Sequence, residues 1–291
     1  MTITHKPTET LDEFWDLISP IRNLAKKLKE PIYRGQGDAS WNLTPSVLRE
    51  DIVYKYGEMG PDYTHAEQVF GLEFLLLANF LNNCDEAGLS VPLDSDRFRN
   101  LMSHNTGIRR YTDYTAEWPD KGYFPFMAMA QHHGIPTRLL DCTRSPLVAA
   151  YFAASQALTF KKIPDELAVW AIDSSILNEP EKTLQLVSVP GSISGNLAAQ
   201  KGLFILRRDQ PSTYGQENFK PIKYIDSIDR GLTDDPSINA YKITLSAKFA
   251  GELMLRCLKF GYSAATLFPG FDGAAKAALE FNLAKKSAGI M

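Results

Sequence analysis

Ser145-Pro146 lies between a short apolar run and the periodic positions Leu147, Val148, Tyr151 and Phe152. Proline fits the first position of a helix, where its missing N–H has no partner to lose, and serine just before it can accept a bond from the first turn. A helix is therefore expected from Pro146, with Ser145 as its cap. Upstream, Pro125 to His133 reads as a short helix closed by Gly134, and Thr137 to Asp141 as an apolar strand. Gln131 to Ala153 thus predicts helix, strand, helix, with His132, His133, Arg138, Asp141 and Arg144 at the junctions. A helix start gathers free N–H donors, and arginines converging there make a pocket for an anion.

The remaining elements follow from the same signals. Thr10 to Glu13 has the capping-box form, and Phe14, Leu17, Ile18, Ile21, Leu24, Ala25 and Leu28 continue at helical spacing, with Pro20 expected to kink or split the element. Pro31 to Tyr33 reads as a strand that presents Arg34 at its edge. Ala66 to Asn82 and Asp94 to His104 read as helices, Leu167 to Ile172 and Leu203 to Arg207 as strands separated by a loop. Asp209 to Asn239 is rich in turn residues and reads as an irregular connection. Tyr241 to Leu245 is expected as a strand, Ser246 as the cap of a helix to about Phe260, Ala264 to Phe268 as a strand and Asp272 to Lys286 as a helix. Strands and helices do not alternate regularly, which favours an α+β fold, a small mixed sheet with flanking helices, over a doubly wound one. The expected divisions are a helical segment at 1–30, a core domain at 31–208, and a loop with an α/β extension at 209–291, packed on the same domain.

Composition excludes more than it selects. The formal charge is -3 and the pI about 6.0, so any contact with nucleic acid must come from a local patch. Cys84, Cys142 and Cys257 have no paired spacing for zinc or redox work, which fits a reducing compartment. The first residues lack the apolar core of a signal peptide, and no run reaches the roughly 18 apolar residues that cross a bilayer. A soluble cytoplasmic protein with no membrane partner and no bound metal is the expectation. Gly35-Gln36-Gly37-Asp38-Ala39-Ser40 approaches the dinucleotide fingerprint but has Ser40 where its third glycine belongs. Walker, H-E-x-x-H, C-x-x-C and G-x-S-x-G patterns are all missing from the sequence.

Tyr33 to Arg49, Y-R-G-Q-G-D-A-S-W-N-L-T-P-S-V-L-R, taken with Gln131 to Ala153, resembles the FRG domain family. The aromatic-Arg-Gly motif that names the family is here Tyr33-Arg34-Gly35. The resemblance covers about residues 31 to 155, with echoes at Gln200 to Phe204 and Leu267 to Gly270; Cys142 stands where the family more often has a large aromatic. The family's members look like bacterial and phage-borne proteins, which implies a defence setting without naming a reaction. A second likeness is to ADP-ribosyltransferases. Arg34 on a first strand, and Thr143 and Ser145 ahead of the helical Ala149 to Ala153, are similar to two of that fold's three parts. The third, a later Glu, falls at the neutral Gln200, with Glu217 and Glu252 as substitutes.

These resemblances imply an NAD or nucleotide pocket formed by Tyr33, Arg34, Gly35, Gln36, Arg138, Thr143, Ser145 and Gln200. Arginine suits a diphosphate because its planar fork makes two charge-assisted bonds. Catalytic candidates are Arg34, His132, His133 and Asp141, since a histidine held by a carboxylate can serve as a general base. That arrangement equally supports a nuclease-type effector. Nucleic acid could instead meet Arg34, Arg138, Lys201, Arg207 and Arg208, with Trp41, Tyr33 and Tyr151 stacking on bases. A partner-binding module without turnover is a further alternative. Adjacent histidines diverge by about 100° on a helix and cannot easily share a site. Ion pairs of Arg34 and Arg138 with Asp38 and Asp141 that merely brace the fold are an equal alternative.

Overall fold

The computed structural model describes residues 3–22, 24–57, 66–103, 118–179, 182–208 and 227–290. Its frame is a mixed sheet of seven strands: β1 (Ile3–Thr8), β2 (Pro31–Gln36), β3 (Leu140–Thr143), β4 (Glu166–Asp173), β5 (Leu184–Val187), β6 (Gly202–Arg207) and β7 (Ala240–Ser246). They lie in the order β1-β7-β4-β2-β3-β6-β5, with β1 and β7 parallel and the other neighbours antiparallel. The described helices are α1 (Leu11–Ile18), α2 (Glu50–Tyr56), α3 (Ala66–Glu86), α4 (Asp96–Met102), α5 (Phe124–His132), α6 (Pro146–Thr159), α7 (Gly195–Ala199), α8 (Ile228–Asp234), α9 (Ala250–Lys259), α10 (Ala264–Leu267) and α11 (Phe271–Ser287). The fold is α+β, and one sheet draws strands from the stretches 1–30, 31–208 and 209–291 alike.

Local chemistry explains most boundaries. Thr10 and Glu13 form the expected capping box, each side chain accepting from the other's backbone N–H at 3.2 and 3.3 Å. The helix ends at Ile18 because Ser19, ahead of Pro20, is held extended. Ile21 therefore leaves the expected stripe and is 77% exposed, while Leu24 and Leu28 return to the core around a 3-10 turn. The strand expected at Thr137 to Asp141 begins three residues later. Thr137 N–H donates to Ser46 Oγ at 3.0 Å and Arg138 N–H to Glu73 Oε1 at 2.6 Å, so neither joins the ladder. Ala264 to Phe268 is helical, not a strand. Ser263 and Thr266 form a second capping box that nucleates it. β1 and β5, absent from the expectation, are edge strands with little apolar alternation.

Antiparallel pairing sorts the side chains. Tyr33 pairs with Thr143 and Asp141 with Phe204, so Tyr33, Gly35, Thr143, Asp141 and Phe204 share one face. On that face α1, α6, α9, α10 and α11 build a core with Tyr33, Val169 and Ile243. Towards β6 the same face is covered by α3, α4 and α5, which pack on Phe204 and Leu206. The opposite face carries Ile32, Trp170, Ile205 and α8. The seam between the two helical clusters lies over β2 and β3.

The glycines of the Y-R-G-Q-G motif set how closely α6 approaches. A Cβ on Gly35 would stand 1.9 Å from the Ala149 carbonyl oxygen, and one on Gly37 2.6 Å from Ala157 N. Ala149, Ala153 and Ala157, one per turn, complete this contact from the helix side. The pair of glycines is thus a strand-to-helix packing device and not the start of a phosphate-binding turn.

At the far end of β4, Asp173 is buried and its carboxylate accepts N–H bonds from Lys29, Glu30 and Ser175 at 3.0, 3.3 and 3.1 Å. Burial raises its pKa, but these bonds outweigh it and the net direction is down. A depressed carboxylate gives stability that is present above the unfolded value of about 3.9 and lost as pH falls through the folded one. Asp173→Asn is expected to be about 1 to 3 kcal/mol less stable at pH 7, with the difference shrinking below pH 4 in urea melts.

Candidate functional site

A cavity of about 730 Å³ opens over β2 and β3 at the seam between the helical clusters. Tyr33, Arg34, Gly35, His132, Asp141, Thr143 and Gln200, distant in sequence, all line it. The α6 side contributes Phe152, Ser155 and Gln156, and the C-terminal part Phe268 and Lys276.

Arg34 is fixed by one bond, Nη1 to the Asp141 carbonyl oxygen at 2.6 Å. Its Nε is buried and has no hydrogen-bond partner. A buried unpaired donor on a charged group is costly and calls for a physical explanation. The alternative of an ion pair with Asp38 or with the Asp141 carboxylate does not occur among the described residues. Asp38 Oδ1 accepts from Ser40 N at 2.8 Å, and Asp141 Oδ1 from Gln131 Nε2 at 2.7 Å. Arg49 lies close enough that burial and the Arg34 charge lower its pKa.

Gln131 is the residue that sequence reasoning passed over. Its amide nitrogen holds Asp141 and its carbonyl takes the Thr137 hydroxyl, while Thr137 in turn exchanges bonds with Ser46. An amide can accept at one end and donate at the other, which is the signal that Gln at the end of α5 offered. Neither histidine forms the expected base pair with Asp141 among the described residues. His132 lies 3.4 Å from Ser194 Oγ and 3.5 Å from Asn196 Nδ2, and His133 stacks on Phe80 outside the cavity lining. Desolvation in the wall and then the His133 ring lower the His132 pKa, although the residue as a whole is exposed, so its imidazole is neutral at pH 7.

Thr143 and Gln200 are structural partners that also face the cavity. Thr143 Oγ1 donates to the Gln200 carbonyl at 2.7 Å and accepts from Ser145 N at 3.0 Å, and Gln200 Nε2 donates to the Leu267 carbonyl at 3.0 Å. The two echoes at Gln200 and Leu267 are therefore in contact. Ser145 stands at the expected cap position, but its side chain makes no capping bond; its hydroxyl is 3.5 Å from Tyr262 OH. Burial, moderated by Arg34, pushes the Cys142 thiol up to about 12, so it stays protonated.

Three expected pocket residues, Ser145 among them, do not line the cavity. Gln36 is buried, accepting from Trp170 Nε1 at 2.7 Å and donating to the Asn42 carbonyl at 3.0 Å. Arg138 is 3% exposed and its Nε meets Glu73 Oε2 at 2.5 Å within the core. Glu73, 0% exposed, also accepts from Trp118 Nε1 at 2.9 Å. Arg207 bonds Asp234 and the Ser227 carbonyl, and Arg208 bonds Gln185 and the Pro119 carbonyl, whereas Lys201 is exposed. Tyr33 and Tyr151 are core residues, and Trp41 packs edge-on against Phe160. Glu252 is exposed and does not line the cavity, and Glu217 lies outside the described residues. Among the described residues no group of three His, Cys, Asp or Glu side chains is placed to hold a metal, and no helix is long and apolar enough to cross a membrane.

No curated protein and no solved structure matches this chain. Residues 29–162 match the FRG domain. That span runs from the start of β2 to just past the end of α6 and holds most of the cavity's walls. The chain carries an FRG domain, and the aromatic-Arg-Gly motif that names it supplies the strand on which the cavity is built.

Proposed function

We propose that the cavity binds a nucleotide through its phosphate, with NAD as the leading candidate, and that the protein is an ADP-ribosyltransferase-like effector. The observation that carries this reading is the buried, unpartnered Nε of Arg34, a residue that lines a cavity within the usual range for small-ligand sites. Asp141 is the one carboxylate among the described residues of the lining, held on one oxygen by Gln131 with the other left to a ligand. Bound NAD would supply an ADP-ribosyl group with nicotinamide as leaving group. Arg34 would hold the phosphate, and neutral His132 and the Thr143 to Ser145 turn would border the nicotinamide end.

A phosphate-tracking groove has less support, because Arg138, Arg207 and Arg208 are each engaged by protein groups. Calorimetric titration of the full chain with NAD tests the reading. Binding that weakens about 10- to 150-fold in Arg34→Ala, the loss expected for one charge-assisted bond, supports it. Equal affinity in the variant, or no binding by the natural protein, overturns it. Repeating the titration with rising salt separates the alternatives, since a groove that contacts many phosphates weakens far more steeply.

A further inference from the structure

Behind two residues of the cavity lining, Ser155 and Lys276, stands a buried carboxylate that the nucleotide reading does not use. Glu280 on α11 is 7% exposed. Its Oε2 accepts the Tyr151 hydroxyl at 2.7 Å and its Oε1 the Ser155 hydroxyl at 2.5 Å. Lys276 Nζ lies 3.8 Å from Oε1, one turn earlier on the same helix. Burial and the bond to Glu280 push the Tyr151 phenol up, so it remains a donor.

Of these groups, Ser155 and Lys276 line the cavity. Ser155 is 6% exposed, and its single proton is committed to Glu280. A hydroxyl has one donor and two lone pairs, so what remains for the cavity is acceptor only. Arg34 lines the same cavity. Gln156 has its amide oxygen taken by Gly37 N at 2.9 Å, which leaves its NH₂ as a further donor.

Resting on that nucleotide reading, we propose that Ser155, oriented by Glu280, is a specificity-determining acceptor that selects ligands carrying a hydroxyl donor away from their anionic group. The chemistry that fits is a sugar phosphate or nucleotide with its phosphate at Arg34 and a ribose hydroxyl at Ser155. Glu280 acts through Ser155 and is a positioning residue.

The test titrates the full chain with inorganic phosphate, AMP and 2′,3′-dideoxy-AMP. The natural protein is expected to prefer AMP to the dideoxy compound by about 2- to 12-fold, the range for one neutral hydrogen bond. Ser155→Ala removes that preference and leaves phosphate affinity unchanged. Ser155→Cys keeps the side chain's size but offers only a weak sulfur acceptor and removes the preference as well, which keeps the test available should either variant fold poorly. Either folded variant retaining the natural preference overturns the proposal, as does a natural protein that binds both nucleotides equally. Failure of AMP and phosphate alike to bind would instead sink the nucleotide reading, and this inference with it.

Discussion

Glu73→Ala is expected to destabilise the protein by about 3 to 5 kcal/mol, the range for leaving a buried charge without its partner. Glu73 sits in α3 among Phe70, Leu72 and Phe74, and three donors converge on it: Arg138 N and Nε, and Trp118 Nε1. Its removal takes from the Arg138 guanidinium the buried carboxylate it meets in the core between α3 and the sheet. Denaturant unfolding measures the loss. Replacing both charges, Glu73→Leu with Arg138→Met, is expected to recover part of the stability lost in Glu73→Leu alone, since an apolar pair has no unpaired charge. A midpoint for Glu73→Ala within about 0.5 kcal/mol of the natural protein's, the range for surface substitutions, would mean that the pair does not brace the core.

Gly35→Ala is expected to be at least as damaging, above about 3 kcal/mol and beyond ordinary overpacking. The added methyl would meet a main-chain oxygen at 1.9 Å, and a carbonyl in the first turns of α6 cannot turn aside as a side chain would. Ala149→Gly therefore gives no rescue, because the obstructing atom remains. The helix must lift from β2, which also widens the cavity that both elements line. Gly35→Ala unfolding with the natural midpoint would show that α6 does not seat on β2 so closely.

Those two sites also mark what the sequence could convey. Caps and breakers were legible because they are local: the Thr10–Glu13 box, the Pro20 split and the Pro146 start each depend on residues within one turn. The meeting of Tyr33-Arg34-Gly35 with Asp141 and Thr143 was also legible, because both stretches carry strand signals beside polar residues. The partner of Arg138 was not. Its spacing from Asp141 pointed to the cavity, while its acid lies 65 residues upstream on a helix. The available clue was a single Glu in the apolar run Val69 to Leu77, where an acid has no reason to stand unless something pairs with it. Glu280 gave the same kind of clue among Ala277, Ala278, Leu279 and Phe281. Ala264 to Phe268 misled because five residues of mixed pattern fit strand or helix, and the Ser263 cap decides between them.

The account turns on the Arg34 Nε–H, a donor now without a partner. Its ¹⁵N–¹H resonance, assigned by its loss in Arg34→Lys, can be followed while the full chain is titrated with NAD. A saturable downfield shift of that proton, with slower exchange against water, is the predicted result. Saturable NAD binding elsewhere on the protein that leaves the Arg34 resonance unmoved would contradict it.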